Sequence, residues 1–598
     1  MRKESIRLPQ FLQQVDHQIA GFSHESMRAF IHEVARTWPE NERDRFLRLL
    51  DEYGSSDNDA NLNEEEKEEA NKCGNQILIA EIEEIREILI EMNDGECVLD
   101  SEYNIEWDEW YNNDVPEVLF SDPQGILNCL NRAMEMVHSC IDTEIYEAGF
   151  ELAKILSVLE IFVEGAYAES TDSVLKLYEL EENHLMKYDF REFTKECLYV
   201  TYMANQLSDR ADTLFCMMEN LNCCEITLEE IMQMGNCELP EFDEFLMLWI
   251  DYLGNQSGFR SEKLLLEAQS MLSDEDLQIE AAENYVELHP VLYEQLLRGA
   301  MESGEDEKMF RLGKEAMEKI PVFLVVRSDI ALLTAVYAFR LQKIEEQEHC
   351  YLEAFRSNST VVNYMRIRFG SRDWGSFRDE VTSIFEQNYN ETRNAGRGAL
   401  RFEGSQKRNC LHNKEYCMML FWNGEFEKMF AVGMNMQSAL GWSGTFMKEG
   451  LSLMLLAMYQ GESLPKELSV MCDRVEGACG FTCKEYDRGT DQTTNSGDRE
   501  TFWAIFCRWK QENPLRSEIM MEWLERIDHL ISVRVTGIME KNHRNYYGEC
   551  AAFIAAFGEV QESLGIPGAK AQIMERYRSA YSRRSAFHQE LRAFGMKK

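Results

Sequence analysis

Helix breakers are scarce in this chain. Proline accounts for 10 of 598 residues (1.7%) and glycine for 34 (5.7%), against usual shares of about 5% and 7%. That excludes collagen-like, Pro-rich and Gly/Ser-rich classes and predicts helix throughout. No stretch approaches 18 consecutive apolar residues, so no membrane span is expected. The opening MRKESIRLPQFLQQ has basic residues but no apolar run behind them, so no signal peptide is expected either. Phosphate-loop and zinc-protease signatures are missing as well. There is no GxxxxGK[ST], Gly396-Arg397-Gly398 lacks a third glycine, and His32-Glu33-Val34-Ala35-Arg36 ends on Arg where HExxH needs a second ligand.

Positive charge is also in short supply: 61 Lys and Arg stand against 107 Asp and Glu, a net −46. Such a field repels phosphate backbones and favours cationic partners. With 44% apolar and 11% aromatic residues, the chain has ample material for a core. Its 17 cysteines are odd in number and irregular in spacing. Many lie within apolar helical stripes, such as Cys216 in TLFCMM and Cys507 in WAIFCRW, which predicts reduced thiols in a cytoplasmic protein. The Met clusters MEMV, FCMMEN and MLLAM read as core filler.

The pattern divides the chain into five stretches. Residues 1–53 read as an N-terminal helical unit, and 54–75 as an acidic linker. A helical-repeat array follows over 76–386. Its most regular part, 258–369, alternates small with large residues and has short polar turns, as expected of antiparallel helix pairs. YEAGFELAKILSVLEIFVEGAY (146–167) reads as one amphipathic helix. Residues 387–411 form a basic loop, and 412–598 return to helical repeats that end in a basic helix. The expected fold is all-α, a tetratricopeptide-like α-solenoid, although no repeat consensus is present.

The segment NHRNYYGECAAFIAAFGEVQESLGIPGAKAQIMERYRSAYSRRSAFHQELRAFG (542–595) resembles the end of a bacterial helical-repeat family often associated with SWIM-type zinc fingers. The features that carry the likeness are Tyr546 and Tyr547, then Gly565 and Gly568, then Arg583, Arg584 and Phe587. LGWSGTFMKEGLSLMLLAMY (440–459) is similar to a turn-plus-helix of that family. The finger's Cys-x-Cys and Cys-x-His are missing, so the resemblance implies a helical-repeat fold and no zinc role.

Three places are candidates for partner contact. Trp107, Trp110 and Tyr111, with Tyr103, sit at helical spacing among seven carboxylates in 100–120, and such aromatics can anchor a basic protein. Arg393, Arg397 and Arg401 lie in the basic loop, with Lys407 and Arg408. Arg583 and Arg584 belong to a tail, 569–598, with eight Lys and Arg against Glu575 and Glu590. That tail could touch phosphate, cap the array, or dock on the protein's own carboxylates. Cys410, His412 and Cys417, and Cys472, Cys479 and Cys483, form two thiol-rich clusters. Neither shows the two tight pairs of structural zinc. No cofactor, metal or catalytic residue is expected. The expected function is a non-enzymatic scaffold or adaptor for a protein partner with a basic patch. The alternative is a regulator of a nucleic-acid-associated machine acting through the basic tail or loop.

Overall fold

Apolar spacing turns into helix along most of the chain. The computed structural model describes residues 64–103, 118–167, 173–223, 225–235, 238–395, 404–435, 438–481, 486–490 and 501–597. Among these residues there are 25 α-helices and one four-stranded sheet. The chain divides into two compact units: Met1–Asn255 with Lys263–Leu272, and Gln256–Glu262 with Ser273–Lys598.

The first described element of the first unit is α1 (Glu64–Asn93), which starts inside the stretch expected to be a linker. EEEKEEANK is rich in strong helix formers. Ile82, Ile85, Leu89 and Met92 form its buried face. Helices α2 (Ile126–Asp142) and α3 (Tyr146–Ser157) follow, then α4 (Leu177–Glu182), α5 (Phe190–Ala204), α6 (Leu207–Asn220), α7 (Leu228–Met232), α8 (Phe242–Gly254) and most of α9 (Phe259–Met271). The oxygen of Asp189 caps α5, accepting from the Arg191 and Glu192 amides. Met134, Met136, Met217 and Met218 are buried, as core filler should be.

The sheet corrects the all-α expectation. Its order is β2 (Val118–Ser121), β1 (Val98–Tyr103), β3 (Ile161–Gly165), β4 (Val174–Leu175). β1 pairs antiparallel with β2 and parallel with β3, and β3 pairs antiparallel with β4. The parallel pair needs a crossover, and α2 and α3 supply it. Leu99, Ile161 and Val163 face the core. The helix expected over 146–167 therefore stops at Ser157. Beyond it, Ile161-Phe162-Val163 is β-branched and aromatic, a composition that favours a strand. Tyr103 lies on β1 and is exposed rather than on a helical aromatic face.

The second unit is helical among its described residues. α10 (Glu275–Asn284), α11 (Val291–Gly299), α12 (Asp306–Lys319), α13 (Val325–Arg340), α14 (Ile344–Ser357) and α15 (Val361–Gly370) fall where the 258–369 rhythm predicts. The small–large pattern has a visible effect between α12 and α13. A Cβ on Gly313 would come within 2.0 Å of the Thr334 hydroxyl, so only glycine permits that approach. α16 (Trp374–Asn394) extends into the span expected to be a loop. Leu324 then forms an antiparallel bridge with Arg408.

The remaining helices are α17 (Asn413–Trp422), α18 (Phe426–Gly433), α19 (Met447–Met458), α20 (Lys466–Ala478), α21 (Phe502–Glu512), α22 (Ser517–Glu540), α23 (Tyr547–Ser563), α24 (Ala569–Ala580) and α25 (Ser585–Ala593). Phe421, Trp422, Phe506, Trp509 and Trp523 are buried together. Trp509 Nε1 donates to the Trp422 carbonyl at 2.9 Å. No helix among the described residues is long and apolar enough to cross a membrane.

Candidate interaction groove

Three consecutive helices of the second unit grip a short turn from much later in the chain. The turn is Asp487–Thr490, closed by the Thr490 amide donating to the Asp487 carbonyl at 3.2 Å. Gly489 has φ +88°, as in a type II turn, where the third residue takes positive φ and is usually glycine. From α13, Asp329 pairs with Arg488 at 2.6 Å. From α14, Gln347 Nε2 and the Tyr351 hydroxyl donate to the Gly489 carbonyl at 2.9 and 3.1 Å. From α15, Arg366 Nε donates to the Tyr486 carbonyl at 3.3 Å.

The gripping side chains are held in place. Gln347, Tyr351 and Arg366 are all buried. Gln347 Nε2 also donates to the Tyr351 hydroxyl at 2.7 Å, and Arg366 bonds Asn363 one turn back. Burial pushes the Tyr351 hydroxyl above its ordinary value, partly opposed by Arg366, so it stays a neutral donor. Gly489 is itself buried. A Cβ there would meet Tyr351 at 2.7 Å and Ala335 at 3.4 Å.

Beside the turn is a cavity of ≈ 310 Å³. Met301, Leu332, Leu333 and Val336 form its apolar wall, and Arg298 and Arg340 its polar edge. Arg298 pairs with Glu294 at 2.5 Å, and Arg340 reaches the Met301 carbonyl at 2.6 Å and Asp306 at 3.3 Å. Burial raises the Glu294 carboxyl above its usual range, opposed by Arg298. The groove thus offers directed donors, one carboxylate selective for a cation, and apolar space.

The residues expected from sequence lie elsewhere. Trp107, Trp110, Tyr111, Arg397 and Arg401 fall outside the described residues. Arg393 sits in the last turn of α16 with its guanidinium 5.6 Å from the Tyr389 ring centre. Arg584 donates to Asn542 Oδ1 at 2.6 Å and to the Met539 carbonyl at 2.9 Å, tying the tail to the end of α22. Arg583 is exposed beside it. Other tail cations are also engaged within the chain. Lys570 pairs with Glu467 and Glu559, Arg576 with Asp528, and Arg578 with Glu575. Lys570 and Arg576 thus meet carboxylates of other helices, while Arg578 pairs within the tail itself.

Among the described residues, no group of three His, Cys, Asp or Glu is placed to hold a metal ion, and Cys483 lies outside them. Burial pushes the Cys417 and Cys472 thiols up to about 12, away from the thiolate that a ligand or nucleophile requires. Nothing in local sequence pattern marked the groove, whose residues lie in ordinary helices. The available signal was charge inside apolar runs, as with Arg366 and Arg368 in NYMRIRFG.

No protein-family model, curated protein or solved structure matches this chain.

Proposed function

We propose that this protein is a non-enzymatic interaction scaffold or adaptor that binds a protein partner through the helical surface of its second unit. In this reading α10–α15 form a tetratricopeptide-like solenoid segment in a cytoplasmic protein, and the C-terminal helices are related to the helical-repeat family their sequence resembles. The supporting observation is the groove, where side chains from three successive helices bond the main chain of a distant segment. Such bonds suit polypeptide recognition, because every partner carries carbonyls. The net charge of −46 favours a partner with a basic patch. The engagement of the tail's cations by Glu467, Glu559, Asp528 and Glu575 weighs against phosphate binding there. The test is affinity capture from the native host, with and without nuclease, at low and moderate salt. The reading expects one stoichiometric protein partner that survives nuclease. Recovery that vanishes with nuclease would overturn it.

A further inference from the structure

The grip on Asp487–Thr490 amounts to a recognition code. Three donors, from Gln347, Tyr351 and Arg366, read main-chain carbonyls, which any sequence supplies. Two features are selective. Asp329 faces the guanidinium of Arg488, and that carboxylate rewards arginine at the corner of the turn. The next residue has no room for a Cβ and adopts φ +88°, which restricts it to glycine. What the groove accepts is therefore a β-turn with Arg-Gly at its corner.

Among the described residues, the turn Asp487–Thr490 borders the cavity rather than filling it. The ≈ 310 Å³ cavity beside Gly489 remains, with Leu332, Leu333 and Val336 on its wall and Arg298 and Arg340 at its edge. A ligand residue flanking the turn would meet that apolar wall.

We propose that this groove docks an Arg-Gly β-turn presented by a partner protein, and that Asp487–Thr490 occupies it in cis as a pseudo-ligand the partner must displace. The proposal rests on the scaffold reading and specifies its site. An intramolecular occupant competes at high effective concentration. Apparent affinity for an incoming turn is then reduced to the fraction of molecules whose groove is open. The device sets a threshold, so that only a partner with the turn preorganised, or with additional contacts in the cavity, displaces the resident segment.

The test uses the full chain and a backbone-cyclised, fluorescently labelled peptide carrying Tyr-Asp-Arg-Gly-Thr, read by anisotropy. Two variants weaken the resident turn without altering the groove: Gly489→Ala, which introduces the clash with Tyr351, and Arg488→Ala, which removes the ion pair. Circular dichroism checks that both keep wild-type helix content. The peptide is expected to bind both variants at least about tenfold more tightly than wild type. A cyclic peptide with Glu in place of Arg is expected to lose that binding. Absence of saturable binding to either folded variant would overturn the proposal and make the turn a structural clamp only. Equal affinity for wild type and both variants would equally overturn cis occupancy. A nuclease-resistant partner captured while the peptide fails would leave the scaffold reading standing and retire this one.

Discussion

The C-terminal helices and the groove both handle buried charge, with opposite results. In the former, Arg534 is almost fully buried and meets Glu549 at 2.8 Å and the Ala439 carbonyl at 2.7 Å. Its guanidinium lies 5.0 Å from both the Trp442 and Tyr546 ring centres. All these partners belong to the surrounding helices and turns, so the charge is committed to the fold. In the groove, Asp329, Gln347, Tyr351 and Arg366 direct their bonds at a five-residue segment. A buried cation paired within its scaffold is structure. Donors aimed at the main chain of a short, remote turn are the basis of the proposed site.

The comparison breaks most visibly through the core. Trp509→Ala removes the ring between Phe421, Trp422 and Phe506 and is expected to destabilise the second unit by about 3–5 kcal/mol, read as a lowered unfolding midpoint. Arg534→Leu leaves Glu549 with only part of its compensation, from Lys448 at 2.6 Å. Breaking such a pair is expected to destabilise by about 3–5 kcal/mol, at the low end because Lys448 remains. Gly489→Ala places a Cβ in the left-handed region, a strain of about 1–2 kcal/mol. It is expected to free the turn while the unfolding midpoint stays close to wild type. A large drop there would show that the groove is structural in the way the C-terminal helices are.

A carboxylate in the first unit sharpens the comparison through pH. Glu267 accepts from the Leu228 amide at 2.6 Å, and burial, aided by Glu229 and Glu230, raises its carboxyl to about 7. The folded state then keeps a proton that the unfolded state, with an ordinary value of 4.5, has already released. Stability therefore falls as pH rises from about 4.5 to about 7. The first unit is expected to melt lower at pH 8 than at pH 6, and Glu267→Gln should reduce that difference. The smallest effect belongs to the tail. Arg576→Ala removes a half-exposed pair with Asp528 and is expected to shift stability by about 0–1 kcal/mol.

The helices of 258–369 were legible because each repeats its apolar residues at three- and four-residue spacing and ends on a polar turn. The sheet was not, because Leu156, Leu159 and Val163 continue the helical spacing across a break that only β-branched composition signals. In sequence the tail is a run of cations with only two carboxylates, Glu575 and Glu590. Glu467, Asp528 and Glu559, which take up its cations, lie in other helices and become neighbours only on folding. The groove was hidden for the same reason: Asp329 and Arg488 are 159 residues apart. Sequence spacing reports faces of single elements, whereas a site built from three helices and a remote turn exists only in the fold.

The most direct measurement is a charge exchange at Asp329. In the Gly489→Ala background, affinities for the cyclic Arg-Gly and Glu-Gly turns are compared with and without Asp329→Lys. The account predicts that the parent prefers the arginine peptide and the lysine variant the glutamate peptide, each by about tenfold, a reversal that attraction and repulsion at one contact produce. An unchanged preference for one peptide in both proteins would contradict recognition of the turn through Asp329.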